Sequence, residues 1–166
     1  MGKRIAGLLV CVAAGLFAVV LSAGCRRTVD VESALRLEAV TTGWADAGPV
    51  GTNNKLVPVV SFTVKNATDQ TLAPVHVNAV FRRVGEAAEW SNSMVIAAGS
   101  SGLAPAAQTG RLVIKGDVGY TGSDPQWDLL KNSQFVDATV DLFARYGSRQ
   151  WAPVGEYRIA RQIVER

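Results

Sequence analysis

"VVSFTVKNATDQTLAPVHVNAVFRRVGE", Val59 to Glu86, is the stretch whose reading decides the fold. Val60, Phe62 and Val64 alternate with Ser61, Thr63 and Lys65; after a gap, Val75, Val77, Ala79 and Phe81 alternate with His76 and Asn78. Successive side chains on a strand point to opposite faces, so each run presents one apolar and one polar face. That pattern marks antiparallel strands buried on one side. Between them "NATDQT", residues 66–71, is a cluster of turn formers.

The same period extends outward. "LRLEAV" sets Leu35, Leu37 and Ala39 against Arg36 and Glu38, and "FVDATVDLFAR" sets Val136, Ala138, Val140 and Leu142 against Asp137, Thr139 and Asp141. "TGRLVIKGD" and "EYRIARQIV" supply further strands. "RRVGEAAEW" predicts a hairpin closed by Gly85-Glu86, with Arg82 opposite Glu89 and Phe81 opposite Trp90. "ARYGSRQW" predicts another, closed by Gly147-Ser148, with Ala144 against Trp151. Only "SDPQWDLLKN" reads as helical: Asp124 could cap and Pro125 could start one or two turns over 124–131. About seven short strands separated by turn signals predict an all-β, antiparallel β-sandwich. A sandwich is preferred to a barrel because the strands differ in length and no interior cavity is announced.

The quoted stretch also resembles FxLYD-like and related immunoglobulin-like domains of prokaryotic envelope proteins. It shares a strand ending in Asn66, a polar turn, a strand with Val75 and Val77, and then a bulky strand end before glycine. Phe81-Arg82-Arg83 stands where that family carries its aromatic-leucine-tyrosine-aspartate signature. The resemblance therefore implies an immunoglobulin-like architecture and nothing finer.

The N-terminus speaks to location. Met1-Gly2-Lys3-Arg4 is basic, Ile5 to Gly24 is uncharged and apolar, and small residues precede Cys25. These are the parts of a secretory signal, although the run is also long enough for a membrane span. Lys3 and Arg4 on one side and Arg26 and Arg27 on the other nearly balance the charge bias that orients spans. Leu21-Ser22-Ala23-Gly24-Cys25 resembles the lipobox of bacterial lipoproteins, with Ser22 where that family most often has leucine. The resemblance implies cleavage before Cys25 and acylation of its thiol, giving membrane attachment through lipid. An uncleaved anchor and a plain secretory signal are the alternatives. Two or three acyl chains hold a protein to a bilayer stably, whereas one does so marginally. Arg26 occupies the position at which the family's inner-membrane retention signal is usually aspartate, so the resemblance favours an outer-membrane destination. The expected organisation is a signal peptide over 1–24, a lipidated tether over 25–33 and a sandwich domain over 34–166.

Removing residues 1–24 from the 166 leaves 142, enough for one domain with a core. The net charge of +3 loses Lys3 and Arg4 with the leader, so the mature chain is near +1. That balance gives no electrostatic footprint for nucleic acid. Cys11 lies in the leader and Cys25 at its end, which leaves the body without a disulfide or a cysteine metal site.

Candidate chemistry is sparse. His76, the sole histidine, falls on the polar face of its strand with no recognisable nucleophile beside it and reads as a surface residue. Asp137 and Asp141 on one strand lie roughly 13 Å apart at ~3.3 Å per residue, too far for shared work on one bond. "GYTGSDPQW" lacks the lysine and the strand-to-helix setting of a phosphate loop. No catalytic residue, metal or cofactor is expected. Trp90 and Trp151 fall in expected strands, and at least one should fill the core. Trp44 opens the Gly-, Pro- and Asn-rich "GWADAGPVGTNNK", while Trp127 shares "GYTGSDPQW" with Tyr120. Trp44, Tyr120 and Trp127 are the candidate binding residues, placed to contact a protein or glycan partner; packing beneath their own loops is the alternative.

The expectation is a non-enzymatic, lipid-anchored binding or accessory module of the cell envelope, facing the periplasm or exterior. An envelope hydrolase and an assembly subunit of an envelope complex are the alternatives.

Overall fold

The computed structural model describes residues 29–164. The leader, Cys25 and the start of the tether lie outside them. The chain folds as two packed antiparallel sheets. After a short helix α1 (Val31–Ala34), the strands run β1 (Leu35–Val50), β2 (Asn53–Asn66), β3 (Val75–Arg83), β4 (Ser91–Ala98), β5 (Leu112–Lys115) and β6 (Tyr120–Gly122). A one-turn helix α2 (Gln126–Leu129) precedes β7 (Ala138–Tyr146) and β8 (Ala152–Arg158). The first sheet has the order β1-β2-β5, with β6 also on β2; the second is β4-β3-β7-β8. β5 pairs with Val59–Phe62 of β2 and β6 with Asn54–Leu56, so the two are successive pieces of one strand position. Counted by position there are seven among the described residues, in line with the expected seven or so. Relative to the constant-type immunoglobulin order, the fourth strand has moved from the first sheet to the edge of the second.

The inner faces are those the alternation predicts. Val60, Phe62, Val64, Val75, Val77, Ala79, Phe81, Ala138, Val140 and Leu142 are all fully buried in one core. The break between β5 and β6 is enforced at Gly119, where a Cβ would sit 1.9 Å from the Leu56 carbonyl oxygen.

Several local expectations are corrected. Ala39 is exposed and takes a positive φ of 51° at a bulge between Glu38 and Thr41, which brings Val40 rather than Ala39 against the core. Residues 44–55 are not a loop: β1 and β2 continue as a ribbon to a two-residue turn, with Val50 opposite Asn53. Val31 and Ala34 are buried, so the body begins inside the expected tether. Val136 is exposed, ahead of the strand it was expected to start. The final strand ends at Arg158; beyond it Ile163 makes one parallel bridge to Trp44. The helical turn forms near 124–131, but Pro125 rather than Asp124 holds the cap position.

The hairpin pairings also shift. The Glu86 N–H donates to the Arg83 carbonyl (3.0 Å), which places Gly85 (φ 86°) third in a four-residue turn. Positive φ belongs there in a type II turn. In consequence Phe81 faces Ser91 rather than Trp90, and Arg82 pairs with Asp141 rather than Glu89. Gly147-Ser148 does close the last hairpin, with the Arg149 N–H on the Tyr146 carbonyl (3.0 Å), yet Ala144 meets Ala152. Trp151 stays outside the ladder, beneath the Arg145 guanidinium at 4.7 Å.

Candidate functional site

A cleft of about 480 Å³ lies on the outer face of the first sheet. Register explains its floor. Thr41, Ser61 and Val113 share one row across β1, β2 and β5; Gly43, Val59 and Lys115 share the next; Ala45 and Val57 follow. Ala45, Val57 and Val59 are buried there and form, with Val164, a small apolar cluster separate from the main core. Val164 can lie over this face because position 43 has no side chain: a Cβ would meet Val164 Cγ2 at 2.6 Å and the Gln162 carbonyl oxygen at 2.9 Å. Backbone bonds fix the approach, from the Trp44 N–H to the Gln162 carbonyl and from the Val164 N–H to the Trp44 carbonyl, both 2.8 Å.

Cations border this apolar floor. Arg111 Nη2 donates to the buried Ser61 hydroxyl at 2.7 Å, and Lys115 projects from the same face of β5. Neither has a carboxylate partner among the described residues. The size falls within the range of small-molecule sites, and an apolar floor with few polar groups is their usual lining. Chemically the cleft suits an anionic head on an apolar body.

The aromatic residues singled out from sequence lie elsewhere, at the end of the sandwich near α2. Trp44 is not a loop contact: it is fully buried, with ring centroids 4.8 Å from Phe135, 5.6 Å from Tyr120 and 6.2 Å from Trp90. Tyr120 joins it, half-buried; its hydroxyl donates to the Val136 carbonyl (2.6 Å) and accepts from the Val136 N–H (3.0 Å), and burial pushes its pKa up. Trp127 stands apart on α2, 62% exposed. Of the two tryptophans of which at least one was expected in the core, Trp90 packs partly buried against it from the loop before β4, under Arg83 at 4.9 Å, while Trp151 is 38% exposed. A shallow depression of about 150 Å³ lies on the outside of this cluster, beside Tyr120 and Phe135.

The titratable clusters serve structure. Asp137 accepts from Arg161 Nε (2.6 Å) and from Arg158, and the Arg161 bond above all lowers its pKa. Arg161 also donates to the Leu130 and Phe135 carbonyls, clamping the segment before β7. The Ser91 hydroxyl is engaged with Asp117, which lowers the Asp117 pKa. Among the described residues, no three His, Cys, Asp or Glu side chains group as a metal site, and no helix is long and apolar enough to cross a membrane.

Arg111, Lys115 and Ser61 escaped the sequence reading. A signal existed: "RLVIK" puts Arg111, Val113 and Lys115 on one face, and "LVPVV" is apolar on both faces, the mark of a strand covered on both sides.

No protein-family model matches the chain, and no curated protein matches it. Solved structures do resemble it. The solution structure of a protein from Arabidopsis thaliana aligns with TM-score 0.47 at 12% identity, over 86% of this chain and 91% of that one. An X-ray structure of a Northeast Structural Genomics Consortium target gives TM-score 0.45 at 13% identity, over 79% and 89%. A crystal structure of a protein from Archaeoglobus fulgidus gives TM-score 0.35 at 11% identity, over 77% and 99%.

Proposed function

We propose that this chain is a lipid-anchored, non-enzymatic binding module of the bacterial cell envelope, and that the cleft on the first sheet takes a small amphipathic anion. The observation that carries the binding half is the apolar cluster on a sandwich's outer face, bordered by Arg111 and Lys115. An outer sheet face is ordinarily polar; here Val164 covers part of an apolar floor, and the rest of that floor opens into a cleft beside Arg111 and Lys115. The lipobox-like Leu21–Cys25 supports the anchor. The binding reading is favoured over hydrolysis because the polar groups that could do chemistry do not converge on the cleft. Ser91 bonds to Asp117, Asp137 to two arginines, and His76 sits across from Ile96 and Arg145 on the other sheet.

The test is calorimetric titration of the purified protein with decanoate and, separately, with decanol. Saturable binding of decanoate is expected, at least tenfold tighter than decanol. Arg111→Ala with Lys115→Ala should remove that preference, and Val59→Glu should abolish both isotherms while the thermal transition persists. Equal affinity for decanoate in the wild type and in Val59→Glu contradicts the assignment.

A further inference from the structure

We infer that the outer face of the second sheet, at the end nearest the tether, is a docking surface for the anionic headgroup layer of the membrane. This rests on the acyl anchor at Cys25. Two rows of side chains define it. Ile96, His76 and Arg145 are register partners across β4, β3 and β7, and Trp151 lies under Arg145. In the next row Met94, Asn78, Phe143 and Pro153 are partners across all four strands. Ile96 is 59% exposed, Met94 52% and Trp151 38%, an unusual showing of large apolar groups on one sheet.

Charge along this face is unevenly distributed. Neither row contains a carboxylate, and Arg145 and, in the adjoining turn, Arg149 have no acidic partner among the described residues. The next row up brings Asp141 opposite Glu156, and Asp141 is ion-paired with Arg82 from the row beyond it. Basic residues and tryptophan are the side chains that settle at a bilayer's headgroup level, attracted by anionic lipid and by the interface respectively.

Chain length supplies the second argument. The Tyr146 hydroxyl donates to the Val29 carbonyl, so the chain leaves the body at the same end of β7 as Arg145, from the core side of that strand. From Cys25 to Val29 the chain spans at most about 14 Å at ~3.6 Å per residue. An acylated Cys25 therefore holds this end of the sheet, rather than the end that carries Asp141 and Glu156, toward the headgroups. The apolar rows start at the end of the sheet from which the tether leaves, and the carboxylates of Asp141 and Glu156 stand farther off.

The experiment uses the full lipidated protein in vesicles of phosphatidylcholine and phosphatidylglycerol carrying nitroxide-labelled lipid. The body has no cysteine after Cys25, so Ile96→Cys and Val113→Cys give single fluorophore sites on opposite sheets. Co-flotation with the vesicles reports the anchor independently. The expected result is flotation of both, with lipid quenching at position 96 at least threefold greater than at 113. That excess should be lost in Arg145→Glu with Arg149→Glu, which should still float. Flotation with equal quenching at both positions overturns the docking face and leaves the anchor intact. A label at 96 that is buried yet unquenched by lipid puts a protein there and overturns it too. Failure to float removes the anchor and this inference together.

Discussion

Replacing Trp44 separates a core tryptophan from a contact tryptophan. Its side chain is fully buried and touches three aromatic rings. Truncation of such a residue to alanine costs about 3–5 kcal/mol in lost transfer energy and cavity, and each aromatic contact adds about 0.5–1.5 kcal/mol. Trp44→Ala should therefore lose about 5 kcal/mol, a third or more of a typical domain's ~5–15 kcal/mol. At roughly 3 °C per kcal/mol for a chain of this size, the melting temperature should fall by about 15 °C. Trp44→Phe behaves differently. It leaves a smaller void, and it deletes an indole N–H that is buried without a partner. An unmet buried donor costs about 1–3 kcal/mol, so its removal offsets much of the lost packing and the net change should stay below about 2 kcal/mol. Urea and thermal unfolding followed by circular dichroism measure both. A Trp44→Ala protein within about 1 kcal/mol of wild type would refute the burial argument. So would one that keeps its stability but loses capture of an envelope partner, the outcome a loop-contact tryptophan predicts.

Two further predictions follow from single side chains. The Asp137 carboxyl is held below the usual range, first by the Arg161 hydrogen bond and then by Arg158. A folded-state pKa below the unfolded value of ~3.9 contributes stability that is whole above that pH and lost as pH falls through the folded value. The urea midpoint should decline below about pH 4, and Asp137→Asn should flatten the decline. Gly43→Ala drives a Cβ into Val164 and the Gln162 carbonyl, so it should cost about 1–3 kcal/mol and weaken decanoate binding by displacing the Val164 wall of the cleft. A wild-type melting temperature and unchanged affinity would contradict the packing of 162–164 over this face.

What could be read from sequence was the inner face of each short strand. Val60, Phe62, Val64 and Val75, Val77, Ala79, Phe81 alternate because only one side of each pair meets the core. Misreadings occurred where a long-range contact set the local residue. Gly43 looks like loop composition, yet it is glycine so that the chain at 162–164, more than a hundred residues later, can approach. That disguised the second half of β1 and placed Trp44 in an expected loop. The bulge at Ala39 and the turn position of Gly85 each shift the side chains that follow by one place, which alternation alone cannot register. The cleft was hidden for a related reason. Its floor is made of outward-facing residues on three strands, and only their adjacency across β1, β2 and β5 makes them a site.

Intact-mass spectrometry of the protein recovered from membranes tests the central claim most directly. The account predicts a chain beginning at Cys25 with the added mass of two or three acyl chains, and its loss in Cys25→Ser. A chain recovered without acyl mass, or one that retains Met1 to Gly24, would contradict it.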